Sequence, residues 1–266
     1  MRYHAPPLPP SFPRGIPPPK TLQHVIIKDF GVSYDDLHSF GFTRLRTLEV
    51  HGRDFDATFA LFLRLGSVAH TVSVQGPLIT IRSQSAAADQ GSTPRTVCVS
   101  FPVRKPADHD TVLDHPSIRD NIKTLYVCPE SRWGHTIDPF ALPSQVFPAL
   151  KTFFLPVFSP YHPLFSLPDL EHCGRLQAPA LQRLIIAYAP DSARYPIGPI
   201  SPADLALFVA RHLELGPGRA LDELVLEAPE IWLTDTGGDC GLGLEVLESY
   251  VGTIRLMSAD SIRTFA

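Results

Sequence analysis

The residue with the clearest chemical potential is Cys240, which lies between glycines in the word Gly238-Asp239-Cys240-Gly241. A cysteine in such a loop can act as a nucleophile when it is a thiolate with a histidine and an oxyanion hole beside it. The flanking sequence predicts no barrel of short alternating strands to build that site. A cysteine-dependent hydrolase using Cys240 is therefore the alternative hypothesis, and a loop that leads into a short helix is the simpler interpretation.

A second group of polar residues could bind a metal ion. His109, Asp110, Asp114 and His115 bring four nitrogen and oxygen donors within seven residues. Metal sites use such donors, but a polar loop has the same composition. The cysteines form no CxxC pair, and no GxGxxG, GxxxxGK[ST] or GxSxG motif is present. We therefore expect no metal, no cofactor and no enzyme activity.

Composition and charge narrow the class of protein. The chain has 266 residues, of which 44% are hydrophobic, and its net charge is −4. A sizeable core is expected, and the absence of a basic run argues against a nucleic-acid partner. No stretch reaches the roughly 18 apolar residues of a membrane span, and the first residues contain no apolar signal segment. We expect no membrane association and a cytoplasmic or nuclear location.

Proline is unusually abundant, with 28 residues, and eight of them fall within residues 1–20. Proline fixes φ and donates no backbone hydrogen bond, so this segment is expected to be extended or disordered. The sequence therefore predicts a proline-rich disordered leader over residues 1–20 and one folded domain over residues 21–266.

An apolar-x-x-apolar-x-apolar pattern recurs from residue 22 onwards, with successive starts 23, 24, 25, 28, 28, 31, 40 and 30 residues apart. Periods of roughly 20–29 residues indicate leucine-rich repeats, and the first five intervals lie in that range. Alternation at the last two positions of the pattern predicts a strand with one face inward. The nine instances are Leu22/Val25/Ile27, Leu45/Leu48/Val50, Ala69/Val72/Val74, Pro94/Val97/Val99, Ile122/Leu125/Val127, Leu150/Phe153/Leu155, Leu181/Leu184/Ile186, Leu221/Leu224/Leu226 and Val251/Ile254/Leu256. A competing frame at Ile262 makes the ninth instance ambiguous.

A threonine column strengthens the repeat. The residue just before the second apolar position is threonine in six of the nine instances, far more often than the threonine content of the chain would produce by chance. β-branched residues stacked on neighbouring strands pack well. The column predicts that Thr47, Thr71, Thr96, Thr124, Thr152 and Thr253 lie side by side in one sheet.

Helical patterns fill several of the intervals, as the crossovers between parallel strands require. Ser201, Pro202 and Asp204 predict an N-cap, a first-turn proline and an acid at N3, with an apolar face following and Gly216 at the end. Asp56 is expected to cap a second helix. Residues 78–93 are expected to form a mobile insertion, and residues 188–200 a proline-stiffened loop.

The words FTRLRTLEV, FPALKTFFLP and APALQRLII resemble the degenerate leucine-rich-repeat regions of F-box-like proteins of mushroom-forming fungi. The similarity covers roughly residues 22–260, and no F-box is visible. The resemblance implies an irregular solenoid whose repeats recruit a protein substrate for a ubiquitin ligase. The repeats themselves predict α/β architecture, with a parallel sheet of about eight or nine short strands and helices or loops on the convex side.

The column between the two strand positions is predicted to point to the open, concave face. It reads Ile26, Glu49, Ser73, Cys98, Tyr126, Phe154, Ile185, Val225 and Arg255. Its apolar run, Tyr126, Phe154, Ile185 and Val225, is the predicted partner-binding stripe, because exposed apolar stripes mark interfaces. Two alternatives stay open: the 188–200 loop covers the stripe, or the chain is a structural remnant without a partner.

Overall fold

The fold is α/β, with a large, open and mostly parallel sheet packed against few helices. The structure, a computed structural model, describes residues 22–28, 45–66, 68–75, 78–85, 95–103, 106–128, 146–157, 175–188, 201–229, 233 and 244–258. The proline-rich leader of residues 1–20 lies outside the described residues.

Twelve strands occur in the described part of the chain. They are β1 His24–Lys28, β2 Thr47–His51, β3 Ala69–Gln75, β4 Leu78–Ser85, β5 Arg95–Pro102, β6 Thr124–Cys128, β7 Thr152–Val157, β8 Leu176–Gln177, β9 Arg183–Tyr188, β10 Leu213–Glu214, β11 Leu221–Glu227 and β12 Val251–Met257. The helices are α1 Phe55–Arg64, α2 Pro106–Asp114, α3 Pro116–Arg119 and α4 Pro202–His212, with a 3₁₀ turn at Leu244–Leu247.

Each of the nine predicted repeats forms a strand, and all nine run in the same direction in one sheet. The order across this ten-stranded sheet is β1-β2-β5-β4-β3-β6-β7-β9-β11-β12. The strand of the ninth repeat, β12, begins at Val251, which confirms the frame of the pattern that starts at Val251. The competing frame at Ile262 lies outside the described residues.

The insertion predicted at residues 78–93 is not a loop throughout, because residues 78–85 form β4. This strand lies antiparallel between β3 and β5. Ile79, Ile81 and Ser83 are buried on its inner side, so it has the alternation of a true strand. Because β4 occupies that position, β5 pairs with β2 and β3 pairs with β6, which reverses the order of the third and fourth repeats.

A single apolar cluster fills the inner side of most of the sheet. Phe59, Val112, Ile118 and Phe208, one from each helix, are buried in the same cluster as the inward strand residues. The helices therefore cover one face of the sheet. A smaller cluster lies under β1 and β2. The opposite face, called the outer face below, carries the alternate side chains of each strand.

Local signals begin the two longer helices. α1 is capped by Asp54, whose carboxylate accepts a hydrogen bond of 3.0 Å from the Ala57 amide; the prediction of Asp56 as cap was therefore two residues late. α4 begins at the predicted position, with Ser201 and Asp204 forming a reciprocal capping box. It ends at His212 and not near Gly216, because Leu213–Glu214 instead pairs with β8.

Candidate functional site

The column threonines lie on the outer face, and neighbouring members are in register on each side of β4, so the predicted column is confirmed in part. Thr47 pairs with Thr96, Thr71 pairs with Thr124, and Thr124 pairs with Thr152. On β12, Thr253 lies beside Glu223 of β11. The threonine residues therefore form two groups near the amino-terminal ends of the parallel strands, one on each side of β4, and Thr253 lies apart from both, beyond Arg183 of β9 and Glu223 of β11.

The predicted stripe is also in register across four neighbouring strands. Tyr126 pairs with Phe154, Phe154 with Ile185, and Ile185 with Val225. The Tyr126 and Phe154 rings stack with centroids 4.4 Å apart and planes inclined by 19°. Tyr126, Phe154 and Ile185 are each half-buried, so each presents part of its apolar surface to solvent.

Val225 differs from the other three, because only 1% of its surface is exposed. The expectation that all four residues face solvent is therefore wrong at Val225. Ala187, which lies two residues after Ile185 on the same face of β9, is buried as well. Burial raises the pKa of the Glu227 carboxyl on β11, and the positive charge of Arg183 lowers it by a smaller amount. The accessible stripe consists of Tyr126, Phe154 and Ile185.

β4 divides the predicted outer-face column into two rows. On one side of β4, Arg82 lies opposite Cys98 of β5. On the other side, the same Arg82 lies opposite Thr71 of β3. The two halves of the sheet are thus displaced by two residues, or about 7 Å along the strands. Thr80 of β4 pairs with Ser73 on one side and with Ser100 on the other, so Ser73 is aligned with Ser100. The column predicts alignment of Ser73 with Cys98, which is wrong.

A cavity of about 400 Å³ lies where the two halves meet. An irregularity in pairing between Ala69 and Thr71 occurs at this place, and bulges of this kind turn side chains and open the ladder locally. The residues that line the cavity are His70, Thr71, Arg82, Ser83, Thr96, Lys123 and Thr124. Most can donate hydrogen bonds, and two of them, Arg82 and Lys123, have cationic side chains.

A basic edge continues from the cavity in both directions. A basic residue stands immediately before the column threonine on five strands: Arg46, Arg95, His70, Lys123 and Lys151. Backbone hydrogen bonds hold these positions next to each other on neighbouring strands. The Lys123 amide donates to the His70 carbonyl, the Lys151 amide donates to the Lys123 carbonyl, and the amide of Thr96, which follows Arg95, donates to the Arg46 carbonyl. The side chains of Arg46, Lys123 and Lys151 are exposed.

The pKa of His70 lies below that of an ordinary histidine. Partial burial is the larger cause, and the positive charge of Lys123 lowers the pKa further. The lowered pKa favours the neutral form of the His70 ring, which lies beside the two cationic side chains that line the cavity, Arg82 and Lys123.

Cys98 is a buried free thiol on the outer face of β5. Burial raises its pKa, a hydrogen bond and the charge of Arg82 lower it, and the Glu49 carboxylate raises it. A thiol with a raised pKa is a poor nucleophile. Cys240, the nucleophile of the alternative hypothesis, lies outside the described residues.

The predicted polar cluster at His109 to His115 lies on and just after α2. Burial raises the pKa of Asp114, and the Asp110 charge raises it further. Within the described ranges, no group of three or more histidine, cysteine, aspartate or glutamate side chains could hold a metal ion. No helix in those ranges has both the length and the apolar character to cross a membrane.

Arg82 and the basic edge were not identified from the sequence. Residues 78–93 read as an insertion, and basic residues about one repeat apart form no run along the chain. The signal that could have found the edge is the basic residue before five of the six column threonines, in the words RLRT, HT, PRT, IKT and LKT. Comparison of the chain with protein-family models, curated proteins and solved structures finds no significant match.

Proposed function

We propose that the chain is an irregular leucine-rich-repeat-like solenoid that acts as a non-enzymatic recognition module and binds a protein partner through its outer face. The observation that carries this proposal is the half-exposed apolar stripe of Tyr126, Phe154 and Ile185. Aromatic side chains contribute most to interfaces when they fill a pocket of the partner and exclude water. The stacked Tyr126 and Phe154 rings are held in place before any partner arrives, so little conformational entropy is lost on binding.

The solenoid part of the proposal is supported by the parallel strands in register and by helices on one side. The antiparallel β4 makes the stack irregular between its second and fifth repeats. The sequence resemblance adds the partner class: the chain would be the substrate-receptor part of a ubiquitin ligase in the cytoplasm or nucleus. Retention of the ligase adaptor subunit by the full chain would support that assignment.

The test places a photo-crosslinking phenylalanine analogue at position 154 of the full chain. The matched control carries the same analogue at Ile26, an outer-face residue that is 60% exposed on the edge strand β1. In extracts of its own cells, the analogue at position 154 is expected to crosslink a defined protein that the analogue at position 26 does not. Identical products from both positions would contradict a partner site at the stripe.

The second arm compares Phe154→Asp with Ile26→Asp. A charge at the partly exposed Phe154 should weaken binding by about 2 kcal/mol or more and lower stability much less than a charge in the core. The same charge at Ile26 should affect neither. A large fall in melting temperature for Phe154→Asp alone would refute the exposed-surface assignment, whatever happened to binding.

A further inference from the structure

The cavity between the two halves of the sheet has the composition of an anion site. Arg82 offers a guanidinium group, Lys123 an ammonium group, and Thr71, Thr96 and Thr124 offer hydroxyl donors. Among the described residues that line it, none is acidic. Charged donors that converge with hydroxyl groups form short, strong hydrogen bonds to oxyanions.

The surroundings of the cavity add two further cations along the edge, and the Glu49 carboxylate, which lies 2.6 Å from the His51 ring nitrogen, is on the outer face beyond Cys98. Arg46 and Lys151 are exposed on the same edge, on either side of the lining residues. The chain as a whole has a net charge of −4, so this cluster of cations is a local reversal and not a general property of the surface. A positive cavity in a negative protein attracts an anionic ligand selectively.

The cavity adjoins the apolar stripe. Thr124 lines the cavity, and Tyr126 follows on the same face of β6, about 7 Å further along the strand. An extended segment that crosses the outer face could thus place an apolar side chain on Tyr126 and Phe154 and an anionic side chain in the cavity.

We propose that this cavity binds the phosphoryl group of a phosphorylated serine or threonine in the partner segment that contacts the stripe. This inference rests on the proposed recognition function and gives the chemical class of its partner. A phosphoryl group carries close to two negative charges and three acceptor oxygens, which matches two cations and several hydroxyl donors. A carboxylate offers fewer acceptors and one charge.

The first experiment titrates inorganic phosphate into the full chain at constant ionic strength, with chloride as the reference anion. Amide resonances of Thr71, Thr96 and Thr124 are expected to shift saturably with phosphate and not with chloride. Lys123→Gln should weaken this binding by at least about tenfold, and Lys123→Arg should retain most of it. The matched control is Lys151→Gln, which removes a cation from the same edge position one strand away.

Equal losses for Lys123→Gln and Lys151→Gln would overturn the cavity in favour of a diffuse basic edge. Absence of any saturable phosphate shift would overturn the anion site itself. Phe154→Asp should leave inorganic phosphate binding within about twofold, because a free ion does not reach the stripe. If phosphate still binds when the crosslinking test fails, the cavity is an anion site and the recognition proposal is wrong.

The second experiment compares a degenerate phosphoserine and phosphothreonine peptide library with its unphosphorylated counterpart. Enrichment of phosphorylated peptides with an apolar residue near the phosphate, lost in both Lys123→Gln and Arg82→Gln, is the expected result. Equal retention of both libraries would overturn the assignment to a phosphorylated partner. Binding of a single-stranded oligonucleotide more tightly than any enriched phosphopeptide would replace the protein segment with a nucleic acid.

Discussion

Tyr126 and Phe154 lie opposite each other on neighbouring parallel strands, and their rings stack at a centroid separation of 4.4 Å. Such pairs contribute about 0.5–1.5 kcal/mol beyond the area they bury. A double-mutant cycle of Tyr126→Leu, Phe154→Leu and the double variant should therefore show a coupling energy in that range. Denaturant unfolding measures it. Strict additivity of the two single changes would show that the stacked pair makes no net contribution to stability.

The neighbours Phe153 and Phe154 should respond very differently to truncation. Phe153 is fully buried on the inner side of β7, whereas Phe154 is half-buried on the outer face. Phe153→Ala should cost about 3–5 kcal/mol of unfolding free energy because it opens a cavity in the core. Phe154→Ala should cost well under half of that. Similar losses in chemical denaturation would mean that the outer face is packed like the core.

The capping box of α4 should make a measurable contribution to stability. The Ser201 hydroxyl accepts from the Asp204 amide at 3.1 Å, and the Asp204 carboxylate accepts from the Ser201 amide at 3.1 Å. Ser201→Ala should cost about 1 kcal/mol, since it leaves a helix-end donor without its partner. Ser117→Ala, an exposed serine in α3, serves as control and should change stability by less than about 0.5 kcal/mol in the same melts.

Cys98 should react slowly with alkylating reagents at neutral pH. Its pKa is raised by burial, so the thiolate becomes abundant only above the ordinary cysteine range. Glu49→Gln removes a charge that raises this pKa and should move the reactivity profile to lower pH. Arg82→Gln removes a hydrogen bond and a charge that lower it, and should move the profile to higher pH. Mass spectrometry of the Cys98 peptide against pH measures both, and shifts of the same sign would contradict this account.

Much of the strand pattern could be predicted because alternation is a local property. Leu48 and Val50 face inward, with Glu49 between them on the outer face, and the second to the eighth repeats all bury these two positions, whereas Leu256 of the ninth repeat is 47% exposed. The segment LITIRSQS of β4 alternates too, but no apolar residue precedes it at the repeat spacing, and the polar word SQSAAADQ follows. The sequence pattern therefore predicts an insertion there, and the strand is visible only from its pairing with β3 and β5.

The choice of neighbours could not be predicted, because each parallel strand offers the same backbone donors and acceptors to several partners. Thr47 precedes Thr71 in the repeat series, yet it pairs with Thr96. The two-residue displacement at β4 follows from that choice, as does the cavity lined by Arg82 and Lys123. The stripe was found because it lies wholly on the β6 side of β4, where the repeats keep their order; its burial at Val225 depends on tertiary surroundings that periodicity does not encode.

The reversed order around β4 has a consequence for how the chain reaches its native state. In a regular stack each new unit docks on the one just made, so folding can follow synthesis from the amino terminus. Here β2 pairs only with β1 until β5 has emerged, because β5 and not β3 is its other neighbour. The β3-β4-β5 meander consists of local antiparallel pairings that close quickly. We therefore expect this meander to form before β1 and β2 dock on one side of it and the later strands on the other.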